Sequence, residues 1–266
     1  MLQHHCSSHK KFKLNFGALR SKEWSDIIRL CIAEFLCTMG LVVIPCAAAI
    51  ESPDFYIFHL YRFHQALCYG LSYMMTIVIA GHVSGGQCNP SVTICCFIFG
   101  LFRIFDVLFY ILAQLIGAIF GALVLKIMLP AKIRGNGPAL CTPWIPPRSS
   151  IIRCLIAELL GTTFFLFVCC AMWDYRNRKW QETAPIKLGL TICGLVLAFG
   201  GYSKAHFNPA RSMGPAIVNG EMIYLWVYLV PQILAGIAVP IVYRLVFDGM
   251  DFERPVLDSY ETNDDI

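Results

Sequence analysis

Six stretches of this chain (27–49, 64–81, 104–128, 151–172, 185–201 and 222–246) are mainly apolar over close to the length that crosses a bilayer as a helix, about 20 residues. Lipid offers the backbone no hydrogen-bond partner, so such stretches must bond internally as helices, and the expected fold class is an all-α membrane protein. Composition agrees: 57% of residues are hydrophobic and 14% charged, against roughly 45–50% and about 25% in soluble domains. Mean hydropathy is +0.62. A disordered chain and a disulfide-stapled secreted module are excluded, and a soluble enzyme is not expected. The net charge of +4 is small and its lysines and arginines sit mostly at segment ends, so nucleic acid is not an expected partner.

The thirteen cysteines lie mostly inside apolar runs (Cys31, Cys37, Cys95, Cys96, Cys169, Cys170) without CxxC or Cys/His metal spacing. They read as small apolar core residues, not as a disulfide framework or a metal site. Residues 1–23 are polar, with Lys10, Lys11, Lys13, Arg20 and Lys22, and carry no cleavable signal pattern.

Two apolar stretches, 90–99 and 209–218, are too short to span, and each follows an Asn-Pro pair. The halves of the chain repeat one another. RLCIAEFL (29–36) and RCLIAELL (153–160) agree at five of eight positions; Asn89 follows Glu34 by 55 residues and Asn208 follows Glu158 by 50. Gln114 then follows Asn89 by 25, and Gln232 follows Asn208 by 24. This is an internal duplication. Its seam is the linker 129–149, which holds five of the fourteen prolines. Three crossings per half force the second half in from the opposite side, an inverted repeat that places its site where the repeats meet.

Lysine and arginine counts set the orientation. With the N-terminus inside, 13 lie on the inner side and 8 on the outer. The expected organisation is a cytoplasmic N-terminal tail (1–24), a first repeat (25–128), an extracellular linker (129–149), a second repeat (150–246) and an acidic cytoplasmic tail (247–266). That tail reads as disordered and open to partners or phosphorylation, without a specific motif.

Asparagine is a strong helix N-cap, and proline suits the first helical position because its missing N–H would be unpaired there. Each Asn-Pro therefore opens a helix reaching about halfway across the bilayer. In an inverted repeat the two enter from opposite faces and their starts meet near the midplane. Each start carries roughly +0.5 elementary charge, so the meeting point repels cations, and Asn89 and Asn208 can donate to a solute between them. Arg211 costs at least ~2.5–3.5 kcal/mol in an apolar helix unless it faces water or a partner. The only acidic residue between Asp174 and Glu221 is Glu182, near the opposite face, so a plain salt bridge is not expected.

At these residues the sequence resembles the aquaporin (major intrinsic protein) family. The likeness covers residues 25–246 and rests on GHVSGGQCNPSVT (81–93), HFNPARSMGPA (206–216) and the pairs Ala33-Glu34 and Ala157-Glu158. It implies six tilted helices plus two re-entrant half-helices, a channel in every subunit, a homotetramer and a plasma-membrane location. The pore motifs become Asn89, Pro90, Ser91 and Asn208, Pro209, Ala210, with Ser91 departing from the family's usual alanine. The resemblance makes Arg211 the arginine of an outer constriction and aligns Tyr69, Val196 and Ala205 with its other members. Strict water channels usually carry histidine where this chain has Val196. Valine implies a wider, more apolar filter that admits glycerol or urea, as in insect members of the water-type branch that lack the histidine. Against this, Ser212 stands where main-branch glycerol facilitators have aspartate, and their outer loop is longer.

Glu34, Glu158 and His82 are expected to support the half-helix loops, the glutamates by accepting backbone hydrogen bonds, with a proton relay as the other reading. Lys204 and His206 stand where the family often has small residues. They would make the outer mouth basic, and His206 would either tune flux near pH about 6.5 or be a plain solvated loop residue. Cys88, just before Asn89, would offer a thiol to mercurials; Gly86 and Ala205, three residues before each asparagine, carry none. Gly117 and Gly121 form a GxxxG step for close helix packing.

The expected function is a passive channel for water and small uncharged solutes that excludes ions and protons, without cofactor or metal. A strictly water-selective channel and a junctional protein of little conductance are the alternatives. No nucleophile–base pair or phosphate loop suggests an enzyme. Neutral asparagines at the midplane argue against an ion-coupled transporter.

Overall fold

The computed structural model describes residues 24–48, 58–128 and 141–247, and every regular element among them is helical. Six helices are long and apolar enough to cross a membrane. They are α1 (Trp24–Ala47), α2 (Phe58–Ser84), α4 (Ile104–Met128), α5 (Ile151–Trp173), α6 (Ala184–Ser203) and α8 (Leu225–Phe247). The two short helices, α3 (Pro90–Ile98) and α7 (Pro209–Asn219), have 9 and 11 residues. At about 1.5 Å per residue each covers roughly half of a ~30 Å hydrocarbon core. Span limits differ from the sequence reading by a few residues, most at α2. A 3-10 segment, Tyr175–Thr183, joins α5 to α6 and had no apolar signal to announce it. The tails 1–23 and 248–266 and the linker portion 129–140 lie outside the described residues.

Polarity is arranged for lipid. Leu190, Val78 and Ile156 are 65%, 63% and 51% exposed, whereas Glu34, Glu158, Gln114 and Gln232 are fully buried. Between apolar helices in lipid, close backbone approach supplies much of the packing. Gly117 and Gly121 provide it on α4: a Cβ added there would stand 2.3 Å from the Phe35 carbonyl and 2.7 Å from that of Met39, both on α1. Gly70 on α2 and Gly189 on α6 do the same, since a Cβ on Gly70 would stand 2.4 Å from the Gly189 carbonyl.

The halves interlock. α1 packs on α4 and α5 on α8, while each half-helix also lies on the third long helix of the other half, α3 on α8 and α7 on α4. Ser91 serves that contact, its hydroxyl donating to the Gln232 carbonyl at 2.9 Å. α3 and α7 meet at their capped starts, where each cap asparagine bonds the loop before the other helix. Their far ends diverge: the last carbonyls of α3 meet Arg244 at the end of α8, and those of α7 meet Lys126 at the end of α4.

One expectation about the cysteines is corrected. Cys46, in the last turn of α1, forms a disulfide with Cys141 across 95 residues. Neither has a patterned neighbour, so spacing carried no hint of it. The remaining described cysteines are free, and most of them are buried.

Candidate functional site

Each half-helix begins as its sequence dictates. Asn89 and Asn208 hold extended backbone (φ −154° and −155°), and their side-chain oxygens accept from Ser91 N at 2.9 Å and from Ala210 N and Arg211 N at 2.9 and 3.2 Å. One amide proton of each crosses to the other half: Asn89 Nδ2 donates to the Phe207 carbonyl at 2.9 Å, and Asn208 Nδ2 to that of Cys88 at 2.7 Å. A side-chain amide has two N–H donors, so one on each asparagine remains for another acceptor.

The loops before these caps are shaped by the two glutamates. Glu34 accepts from Ser84 Oγ (2.6 Å), Gln87 N (3.0 Å), Cys88 N (2.8 Å) and Gln114 Nε2 (2.8 Å). Glu158 accepts from Ser203 Oγ (2.6 Å), His206 N (2.9 Å), Phe207 N (2.8 Å) and Gln232 Nε2 (2.8 Å). Drawing the N–H groups inward turns the carbonyls of the same trans peptides the other way. The turn demands left-handed backbone at matching positions: Gly86 and Ala205 (φ 59° and 53°), Cys88 and Phe207 (50° and 51°), Gly85 and Lys204 (86° and 68°). A non-glycine residue held there costs on the order of 1–3 kcal/mol, which the glutamate contacts offset.

Four tyrosines complete the scaffold, and the sequence reading gave only Tyr69 a role. Tyr110 donates to the Ser84 carbonyl and Tyr228 to that of Ser203, each at 2.6 Å. Each stands four residues before its glutamine, so a repeated Tyr-x3-Gln on one helix face was the available signal. On α2, Tyr73 donates to the Gln87 carbonyl at 3.0 Å and Tyr69 to that of His206 at 2.6 Å.

The residues aligned with a constriction do come together. Arg211, 5% exposed, holds its guanidinium 5.6 Å from the Tyr69 ring. Tyr69 is bonded to His206, which adjoins Ala205, and both Val196 and Ala205 flank Gly200. Among the described residues no carboxylate pairs with Arg211; its partners are Cys141 O at 3.5 Å and Cys141 Sγ at 3.4 Å.

Three further expectations are corrected. His206 is not at an outer mouth: its ring is fully buried, lies against Tyr228 and bonds Ser212 Oγ through Nδ1 at 2.9 Å. It matches Gln87 of the first half, whose side chain likewise meets the Thr93 hydroxyl at 2.7 Å. Lys204 is exposed, with its ammonium 5.5 Å from the Trp144 ring. His82 is exposed near the end of α2 and does not brace the loop; Ser84 takes that part. Cys88 is fully buried, packed in a cluster with Cys37 and Leu41, so its thiol is not offered to solvent.

Six spanning helices around two asparagine-capped half-helices define a membrane channel of the inverted-repeat type, not an enzyme. The chain belongs to the major intrinsic protein family, whose model matches residues 20–243. It is 29% identical over 244 residues to aquaporin-8 of Notomys alexis, covering 91% of each chain. It is 32% identical over 216 residues to nodulin-26 of Glycine max, covering 81% of this chain and 76% of that one. The aquaglyceroporin structure from Plasmodium falciparum superposes with a TM-score of 0.71 at 22% identity, over 84% of this chain and 97% of that one.

Proposed function

We propose that this chain is a passive conduit for water and small uncharged solutes of the glycerol or urea class, closed to ions and protons. The observation that carries the reading is the meeting of α3 and α7 at Asn89 and Asn208 inside the bundle. Two helix starts, each with roughly +0.5 elementary charge, repel any cation passing between them. The spare amide proton of each asparagine offers passing water a donor, so its oxygen turns toward the asparagines. Water held that way cannot pass a proton straight along a file.

The outer filter is Tyr69, Val196, Ala205 and Arg211. Arg211 supplies N–H donors and a second positive barrier. The Tyr69 hydroxyl is engaged by the His206 carbonyl, so its ring is what a solute meets. Val196 and Ala205 add apolar walls and no donor, which suits a solute with a carbon face.

The outer side is assigned to the linker, with both termini cytoplasmic and the plasma membrane as host. Thirteen inner against eight outer cationic residues support this. So does the disulfide, which joins the outer end of α1 to the linker and needs an oxidising compartment. Assembly as a homotetramer is part of the same proposal.

The test is swelling of proteoliposomes in osmotic and isosmotic gradients. Fast water flow with glycerol or urea entry is expected, and Val196→His should cut glycerol entry while sparing water. Water flow without solute entry refutes the wide filter, and unchanged glycerol entry in Val196→His removes that residue from it.

A further inference from the structure

We infer that the Cys46–Cys141 disulfide is a selectivity element: it fixes Cys141, which anchors the Arg211 guanidinium, and its reduction loosens the outer filter. The inference rests on the proposed filter role of Arg211. Among the described residues both hydrogen-bond acceptors of that guanidinium belong to Cys141, its carbonyl at 3.5 Å and its sulfur at 3.4 Å. Among the described residues the buried Nε has no hydrogen-bond partner. Both contacts are long, so a small displacement of Cys141 breaks them.

Cys141 lies outside any helix and holds left-handed backbone, φ 65°, which an L residue leaves when released. The chain beyond it is fastened separately, by Tyr228 donating to the Trp144 carbonyl at 2.7 Å. Cys141 itself is tied down through Cys46, which is fully buried in a cluster with Val42, Ala118 and Ala210, the residue before Arg211. The covalent bond thus sets the anchor against the same packed base that carries the arginine. Reduction is ordinary thiol exchange: dithiothreitol gives two electrons and two protons to the S–S bond, leaves two cysteine thiols and becomes its cyclic disulfide. The other described cysteines are already thiols.

The experiment uses the full chain in proteoliposomes and reads glycerol-to-water flux ratio and proton leak, with thiol counting to verify the redox state. The protein is measured oxidised, after dithiothreitol, and after reoxidation with diamide, beside Arg211→Val and the double variant Cys46→Ser/Cys141→Ser. Reduction should raise ratio and leak by about twofold or more towards Arg211→Val. Reoxidation should restore both, and the double variant should resemble the reduced protein and ignore the reagent. If two thiols appear, or the double variant is used, and neither quantity moves while Arg211→Val moves both, the disulfide is not a selectivity element and the filter reading stands. If Arg211→Val itself changes nothing, the filter role of Arg211 fails and this inference fails with it.

Discussion

A Cβ added to Gly161 would stand 2.0 Å from Cε1 of Phe207, so the loop before α7 is built against bare backbone of α5. The first half solves the same contact with Cys37 and Cys88 in the matching positions, both buried in one cluster. Gly161→Ala therefore overpacks a rigid contact, with an expected loss of about 1–3 kcal/mol. Thermal unfolding in detergent checks it: Gly161→Ala should melt lower, and adding Phe207→Cys should recover most of the loss. A variant as stable as the parent would show that Phe207 has somewhere else to go.

Glu158→Gln replaces an acceptor of four hydrogen bonds with a group that turns N–H donors towards Ser203, His206, Phe207 or Gln232. A buried donor left unmet costs about 1–3 kcal/mol, and at least one is unavoidable here. Lower melting temperature and several-fold lower water flux at equal protein are expected, and Glu34→Gln should behave alike because its contacts match. Parental stability and flux in both would mean that the loops hold their shape without the carboxylates.

His206 is out of water with Nδ1 already engaged, so water flux should be flat between about pH 5.5 and 8. His206→Gln should conduct like the parent, since Gln87 fills the matching place in the first half. A titration step near pH 6.5 that disappears in His206→Gln would reverse this assignment.

Asp174, beyond the end of α5, is buried and hydrogen-bonded by Arg176, which holds its carboxyl below the ordinary 3.8. A carboxylate with a depressed folded value adds stability above its unfolded value and loses it as pH falls through the folded one. Asp174→Asn should thus melt below the parent at neutral pH, and the gap should close only below about pH 4. A gap that stays constant from neutral pH to pH 3 would place the effect outside this ion pair.

What the sequence disclosed is what local chemistry and repetition encode. An Asn-Pro pair followed by a short apolar run reads as a helix start, and apolar length fixes a span, so α3, α7 and the six long helices were visible. Glu34 and Glu158 were visible because the repeat doubled them. The Cys46–Cys141 bond was not, because it joins the end of an apolar helix to a proline-rich linker with nothing periodic between them. The place of His206 is not legible from the small residues that the family often carries there; its informative counterpart is Gln87 in the same chain. His82 and Cys88 show the limit of nearness in sequence. They sit within a few residues of braced positions, yet helix and loop geometry turn one outward and the other into the core.

The most direct measurement of the central claim is stopped-flow water permeability of proteoliposomes with an internal pH dye, for the parent chain and for empty vesicles. The account predicts water flow several-fold above the empty vesicles, a low activation energy and no added proton leak. Water flow no faster than through bare lipid, or a proton leak rising with the amount of protein, would contradict it.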